Sequence, residues 1–260
     1  MNFKWNIGLV KFQHIILLLF VLLIMACTPR EVVSPVANVF PVQWFPGFAM
    51  SGLLANPFPV RNQNDVQALL DKPWYSSFKF VHVQKREVFS MDRCNQILPE
   101  IAQLETYQPY DRSYLYLATM CVATESIAKA HPSQYSALSG FTLDEDAPWH
   151  LPKDLRFPVS DLGGKTVPNN EEIVSWAAVD SVTFTSQDGP YQARYVLENA
   201  FQEISLIARG DFNHDDIEDI LLLAQSNIAD IPYTAYRLFW VTKVDENSPI
   251  TLIRKYSIAY

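Results

Sequence analysis

The feature that most constrains this chain is a short apolar segment near its start, because it separates the first residues from any folded domain. Lys4 and Lys11 precede an apolar run at residues 15–26 (IILLLFVLLIMA), and a polar stretch follows Cys27. A basic start, a short apolar core and a small residue before the cleavage point are typical of a secretory signal peptide. We therefore predict that residues 1–26 are a signal peptide. A single membrane-spanning helix is the alternative, but the clean apolar run falls short of the roughly 20 residues that a span needs.

The residues around the predicted cleavage point, Ile24-Met25-Ala26-Cys27, resemble the lipobox of bacterial lipoproteins. The resemblance implies cleavage after Ala26, a palmitate-type diacylglycerol on the Cys27 sulfur and acylation of the new amino terminus. Two or more acyl chains anchor a protein stably to a membrane, whereas one chain does not. Residue 28 is Thr and not the Asp that retains lipoproteins in the inner membrane of enteric bacteria. The resemblance therefore favours an outer-membrane anchor facing the periplasm, with the inner membrane as the alternative.

The charge of the mature chain limits the partners it is expected to have. The predicted signal peptide holds two of the 20 Lys and Arg residues and none of the 28 Asp and Glu residues, which leaves a net charge of −10. Phosphate backbones require a basic surface, so nucleic acid is not expected as a partner. Anionic lipid headgroups would repel an acidic surface. We therefore expect the acyl chains, rather than the protein surface, to make the membrane contact.

Two cysteines remain once Cys27 is assigned to lipidation. Cys94 and Cys121 form an even pair, and an exported protein reaches an oxidising compartment in which disulfides persist. Both cysteines fall on consecutive predicted helices, which suits a disulfide joining the two helices. The alternative is a pair of buried free thiols, since unpaired cysteines behave as small hydrophobic side chains. We predict the Cys94–Cys121 disulfide and assign it a structural role, because the CxxC spacing of redox sites is absent.

The mature chain divides by residue pattern into a short tether and one domain. Residues 27–38 lack periodicity and are predicted to be the tether, and residues 39–260 a single domain. Helical patterns fill 61–138 of that domain apart from a strand-like run at 78–83, an irregular proline-rich loop covers 141–172, and strand patterns fill 173–260. Helices first and strands later are typical of an α+β fold. We predict an N-terminal helical part packed on a C-terminal antiparallel β meander.

Two kinds of pattern support that fold assignment. The longest helical pattern runs from Asp111 to about Ala130 and ends before Pro132. In the C-terminal part, turn residues such as Asp188-Gly189 separate short apolar runs, as in β-hairpins. The three predicted hairpins pair Ser181–Ser186 with Tyr191–Val196, Ile204–Ala208 with Ile220–Ala224, and Tyr236–Val244 with Ile250–Tyr256.

An acidic segment between two predicted strands contains the clearest candidate for a binding site. The sequence of residues 210–219, GDFNHDDIED, places oxygen-bearing side chains at alternate positions and again four residues later. Calcium takes about six to eight hard oxygen ligands in forgiving geometry, and such spacing plus water can supply them. We predict a calcium site at this loop. Its candidate ligands are Asp211, Asn213, Asp215, the carbonyl of Ile217, and Asp219.

The spacing of this segment resembles the calcium loops of FG-GAP/VCBS repeats and of dockerin modules. The resemblance covers about ten residues and occurs once, so it implies neither a β-propeller nor a dockerin. Asp216 stands where those loops have a glycine, and it reaches a left-handed conformation only at some energetic cost. Leu222 stands where an EF-hand has its last glutamate, which excludes a true EF-hand. The alternative is an acidic hairpin loop without an ion, whose aspartates bond the turn.

Three function classes remain open for such a chain. No GxSxG or HExxH motif is present, so the sequence favours a non-enzymatic binding or envelope-assembly role, with an envelope protein as partner. The first alternative is a periplasmic hydrolase with a site under the 141–172 loop and His150, next to Trp149, as general base. The second is an inhibitor or immunity-type lipoprotein that presents its acidic face to another protein.

Overall fold

A long antiparallel sheet and one long helix dominate the computed structural model, which describes residues 39–107, 112–157, 175–229 and 233–259. The strands are β1 (Gln43–Trp44), β2 (Phe78–His82), β3 (Val88–Met91), β4 (Leu104–Thr106), β5 (Thr183–Gln187), β6 (Gln192–Leu197), β7 (Ala200–Gly210), β8 (Asp219–Ile228), β9 (Thr234–Thr242) and β10 (Thr251–Ala259). The α-helices are α1 (Gln63–Leu69), α2 (Cys94–Ile97), α3 (Arg112–Lys129) and α4 (Ala147–His150). The prediction of a mixed α+β fold is confirmed.

The larger sheet follows the order of the chain. Its strands lie in the order β10-β9-β8-β7-β6-β5, all antiparallel, and β1 adds to the end of β7 beyond β6. Strands β8 and β9 are buried along most of their length because both faces of the sheet are covered. Leu221, Leu223 and Leu238 point to one hydrophobic cluster, and Leu222 and Phe239 point to a second cluster on the opposite face.

Helix α3 covers one face of the larger sheet at β9 and β10. Apolar side chains surround nearly the whole helix, and such a helix is stable only when it is buried. A smaller sheet, ordered β3-β2-β4, packs on its other side, where the Phe80 and Tyr114 rings meet edge to face with centroids 4.8 Å apart. The region 61–138 was predicted as helical apart from a strand at 78–83, where β2 lies, and it also contains β3 and β4. Strands β3 and β4 are too short for their side-chain period to register in the sequence.

An irregular layer covers the opposite face of the larger sheet. It comprises residues 133–157 and 175–182, and it buries Leu143, Leu151 and Trp176 against the strands. Of the predicted 141–172 loop, the structure describes residues 141–157, which contain α4 and one turn of 3₁₀-helix. Residues 158–172 lie outside the described part of the chain.

Arg209 and Glu218 fix one end of this irregular layer. The two side chains form a buried ion pair with Nη1 and Oε2 3.2 Å apart and side-chain exposures of 9% and 6%. Arg209 also donates from Nη1 to the Leu138 carbonyl at 2.5 Å and from Nη2 to the Phe141 carbonyl at 2.9 Å. The Ser136 hydroxyl donates to Glu218 at 2.6 Å. Side chains of the sheet thus supply hydrogen bonds that a segment without regular structure cannot make for itself.

Arg237 fixes the other end of the layer mainly through carbonyl and amide oxygens. It is 3% exposed and donates to the carbonyls of Arg156 at 2.8 Å and Leu155 at 3.3 Å. It also donates to Gln202 Oε1 at 2.6 Å, and Gln202 in turn donates to the Leu155 carbonyl at 2.9 Å. Burial lowers the pKa of Arg237 to about 10, so the guanidinium remains charged at neutral pH. Carbonyl and amide oxygens thus accept its hydrogen bonds, and the nearby charge of Asp180 favours the charged form.

The proline-rich segment at residues 39–59 packs across the sheet as an irregular strap. Phe48 is buried, and the Phe45 ring stacks on Tyr191 with centroids 4.2 Å apart. Gly47 lies against the sheet so closely that a Cβ there would come within 3.0 Å of the Ser205 Cβ and 3.1 Å of a methyl of Ile207. A larger residue at this point would require the strap or these side chains to shift.

Candidate functional site

The aspartate loop, residues 210–219, connects β7 to β8 at one end of the larger sheet. Two of its residues have left-handed backbone conformations, His214 with φ 66° and Asp216 with φ 68°. Few residues other than glycine adopt this region, and Asp, Asn and His are the commonest of those that do. Asp216 therefore makes the turn that a glycine makes in the loops that the sequence resembles, at the cost expected for a residue with a Cβ.

Asp211 closes the loop on itself. Its side chain is 2% exposed, and Oδ1 accepts hydrogen bonds from the amides of His214 at 2.6 Å and Asp215 at 3.2 Å. Oδ2 accepts the amide of Asp216 at 2.9 Å. Three of the roughly four acceptor positions of this carboxylate are thus used by the loop backbone.

The next predicted ligands lie at the exposed tip of the loop. Asn213 donates from Nδ2 to Asp215 Oδ2 at 2.9 Å and accepts the Asp215 amide at 3.2 Å. Asp215 Oδ1 accepts the Ile217 amide at 2.9 Å. Ile217 itself is half-buried and pairs with Tyr135 in an isolated bridge. The side chains of Asn213 and Asp215 are therefore bonded within the loop and keep part of their acceptor capacity.

Asp219, the last predicted ligand, has the most perturbed carboxylate of the loop. It is fully buried at the start of β8, and Oδ2 accepts the Phe212 amide at 3.0 Å. Burial raises the pKa of Asp219 to about 7, the Phe212 amide and Thr242 hydroxyl offset this in part, and the nearby charges of Asp215 and Asp211 raise it further. Among the described residues, neither the buried Oδ1 nor the nearby Thr242 hydroxyl makes a hydrogen bond of acceptable geometry. An acceptor left unsatisfied in this way is costly.

The donor set matches calcium in kind. All the candidate side chains present oxygen, and Asp219 Oδ1 is an unsatisfied buried acceptor at the position that the spacing assigns to the last ligand. In the conformation described, however, no three His, Cys, Asp or Glu side chains among the described residues are grouped as a metal site. Residues 211–217 use their oxygens on the loop instead. Ion binding therefore requires side-chain rearrangement within the loop.

Residues 131–135, which follow α3, contact the aspartate loop through backbone hydrogen bonds. His131 and Asp211 exchange backbone hydrogen bonds of 2.9 Å, and the Asp216 carbonyl accepts the amides of Gln134 at 2.8 Å and Tyr135 at 3.2 Å. The rings of His131 and His214 lie 4.2 Å apart. The sequence carries no signal for this contact, because about 80 residues separate its two sides and the 131–135 segment has no local motif.

A second candidate site opens on the same side of the sheet as the irregular layer. A cleft of about 520 Å³ lies between the 137–150 segment and the turn joining β9 to β10, and we call it the Trp149 cleft. Its lining includes Trp149, His150, Lys243 and Glu246. The last two residues lie about 100 positions from Trp149, so no sequence spacing could have associated them.

The hydrolase alternative required His150 within hydrogen-bond reach of an acid or a serine. His150 lines the Trp149 cleft, but in the part of the chain that the structure describes it makes no such hydrogen bond. Asp144, one of the candidate acids, instead accepts the amides of Asp146 and Ala147 at the start of α4, each at 3.0 Å. The inhibitor alternative required an exposed acidic loop and no pocket. The tip of the aspartate loop is exposed, as this alternative requires. The Trp149 cleft is a pocket, so the second requirement is not met.

The predicted pair Cys94 and Cys121 is joined in a disulfide that links α2 to α3. Both residues are fully buried in the hydrophobic cluster around α3. The predicted lipidation site Cys27 and the tether at 27–38 lie outside the described residues. Within residues 39–107, 112–157, 175–229 and 233–259, no helix has the length and apolar character needed to cross a bilayer.

Comparison of the chain with protein-family models, with curated proteins and with solved structures found no significant match.

Proposed function

We propose that this chain is an exported lipoprotein, anchored through Cys27 to the periplasmic face of the outer membrane, whose domain has a non-enzymatic binding role and is stabilised by calcium. The observation that carries the proposal is the buried Cys94–Cys121 disulfide, because structural disulfides persist in extracytoplasmic compartments. It agrees in compartment with the signal-like segment before Cys27. The Trp149 cleft supports a binding role, since it exposes a large aromatic side chain beside charged groups.

Replacing Cys27 by serine in the full-length chain is expected to abolish lipidation. Serine lacks the sulfur that accepts the diacylglycerol, so metabolic palmitate label should disappear and a precursor that retains residues 1–26 should accumulate. Label incorporation and mobility on gels measure both effects. Cys94→Ser is the matched control and should keep the label. Label retained in Cys27→Ser would show that Cys27 is not the anchor.

Calcium binding is proposed at the aspartate loop because a cation there would relieve two unfavourable features. Asp219 Oδ1 is buried and makes no hydrogen bond of acceptable geometry among the described residues, and the carboxylates of Asp215 and Asp211 raise the pKa of Asp219 through their charge. A divalent cation would be coordinated by Asp219 Oδ1, and its positive charge would offset the negative charges of the three carboxylates. The ion would then stabilise the hairpin of β7 and β8 and need not take part in chemistry.

Calcium is expected to raise the melting temperature of the full-length protein by several degrees. Extracytoplasmic calcium modules bind with dissociation constants of roughly 10⁻⁴–10⁻³ M. At ten times the dissociation constant, linkage adds about 1.4 kcal/mol of stability. The increase should be lost on chelation and in Asp219→Asn, and magnesium should give less. Asp188→Asn, an exposed turn aspartate away from the loop, is the control and should respond as the wild type does.

The Asp219→Asn variant gives an independent result in the presence of chelator. Because the folded state raises the pKa of Asp219 from 3.8 to about 7, it binds this proton more tightly than the unfolded state. The contribution of Asp219 to stability therefore falls as pH rises from about 4 to 7 and is most unfavourable above pH 7. Asp219→Asn should be the more stable protein at pH 8 without calcium. Melting curves that do not change with calcium, chelator or Asp219→Asn would refute the calcium site. The loop would then be a hydrogen-bonded hairpin without an ion.

A further inference from the structure

The Trp149 cleft exposes an aromatic face that the fold itself does not use. Trp149 is 62% exposed, the highest value among the exposed large hydrophobic side chains of the described residues. Tryptophan is the side chain with the largest apolar area to bury, and it is highly buried on average. A tryptophan left at the wall of a cleft of about 520 Å³ therefore offers a flat apolar surface to a ligand. That volume lies within the roughly 300–1,000 Å³ typical of small-molecule sites.

The rest of the lining mixes apolar residues with polar and charged ones. Lys243 faces the cleft as a cation and Glu246 as an anion, with hydroxyl groups from Ser139, Ser175 and Ser248 beside them. A wholly apolar ligand would strip water from Lys243 and Glu246 without replacing their hydrogen bonds. A phosphate-bearing ligand would meet Glu246 as well as Lys243, so charge complementarity does not favour it.

Both walls of the cleft are held in place before a ligand arrives. The Leu138 and Phe141 carbonyls on one wall are fixed by Arg209. On the other wall, Asp245 Oδ1 accepts the amides of Asn247 and Ser248, both at 2.8 Å, which closes the turn between β9 and β10. Preformed walls reduce the conformational entropy that binding must remove.

We infer that the Trp149 cleft binds a neutral saccharide. A sugar ring has one face of C–H groups, which suits the electron-rich face of the Trp149 indole, and a rim of hydroxyls that both donate and accept hydrogen bonds. Lys243 can donate to such hydroxyls and Glu246 can accept from them. This inference rests on the proposed binding function and names the class of ligand.

The test is a titration of the full-length protein, in micelles of a detergent without a sugar headgroup, with three neutral trisaccharides. The probes are chitotriose, cellotriose and maltotriose, and binding is measured by calorimetry and by saturation transfer to the sugar protons. At least one probe is expected to bind with a dissociation constant below about 5 mM. Trp149→Ala should weaken that binding by about tenfold or more, and Trp149→Phe by less, because a smaller aromatic face remains.

Controls separate a loss of stacking from a loss of fold. Tyr107→Ala removes an aromatic side chain that is 54% exposed elsewhere and should leave saccharide binding unchanged. The melting temperature of Trp149→Ala should equal that of the wild type, since the side chain is largely exposed.

Three results would overturn the inference: no binding of any probe below about 5 mM, binding unchanged in Trp149→Ala, or tighter binding of glucose 6-phosphate than of the neutral sugars. None of them bears on palmitate labelling or on the calcium response. Failure of the saccharide inference and failure of the proposed lipoprotein function are therefore distinguishable.

Discussion

Removing the carboxylate of Glu218 is expected to destabilise the protein by about 3–5 kcal/mol, because it leaves the charge of Arg209 buried without its partner. The pair is 3.2 Å apart and nearly inaccessible to solvent, so water cannot replace the lost interaction. Glu218→Ala also removes the acceptor of the Ser136 hydroxyl. The change should appear in chemical denaturation as a lower midpoint with an unchanged slope.

A second glutamate–arginine pair on the same sheet provides the control for this prediction. Arg194 Nε and Glu203 Oε1 lie 3.8 Å apart with side-chain exposures of 41% and 32%. Exposed pairs of this kind contribute about 0–1 kcal/mol, so Glu203→Ala should change stability little. Similar losses for Glu203→Ala and Glu218→Ala would contradict the assignment of the large effect to burial.

Loss of the Cys94–Cys121 disulfide is expected to lower stability by roughly 3.5 kcal/mol without abolishing folding. The link closes a loop of 27 residues, and the chain-entropy model assigns about this value to a loop of that length. Folding should survive reduction because a chain of this length buries a core of its own around α3. Denaturation with and without a thiol reductant measures the difference.

The double variant Cys94→Ala/Cys121→Ala is the control for reduction. It should be insensitive to reductant and should show a loss of at least the size seen for the reduced wild type, since alanine also leaves small cavities. Mass spectrometry of the non-reduced protein should identify a peptide that links the two cysteines. Two thiols that react freely with an alkylating agent after unfolding would refute the pairing in the exported protein.

The architecture was predictable wherever a local pattern carried the information. The helix predicted from Asp111 to about Ala130 is present as α3 over Arg112–Lys129, because a long run of residues compatible with a helix ends just before Pro132. Strands β7 and β8 lie where two apolar runs flank the acidic segment, although both are longer than predicted. They extend because pairing continues past the apolar residues, through Gln202, Gln225 and Ser226. These side chains are polar, so the pattern of apolar residues does not predict that they belong to strands.

The candidate site was predictable in its residues and not in their environments. Spacing identified the positions from Asp211 to Asp219 and marked Asp216 as the residue that must take a strained conformation, which it does. The two carboxylates differ in their environments. Asp211 accepts hydrogen bonds from three loop amides, whereas Asp219 Oδ1 makes none of acceptable geometry among the described residues. This difference depends on burial at the start of β8. Burial is set by the packing of other elements and has no signature in a ten-residue pattern.

The sequence by itself determined the features that are encoded locally. These are the signal-like segment before Cys27, the acidic charge, the spacing of the aspartate loop, the mixed α+β character and the pairing of Cys94 with Cys121. Tertiary structure alone decided which distant groups meet. It placed Arg209 beside Glu218 and the carbonyls of a segment about 70 residues away, and it brought Lys243 and Glu246 to the wall opposite Trp149. The physical reason is that periodicity, charge and turn chemistry act over a few residues, whereas a buried ion pair or a cleft forms only when whole layers pack together.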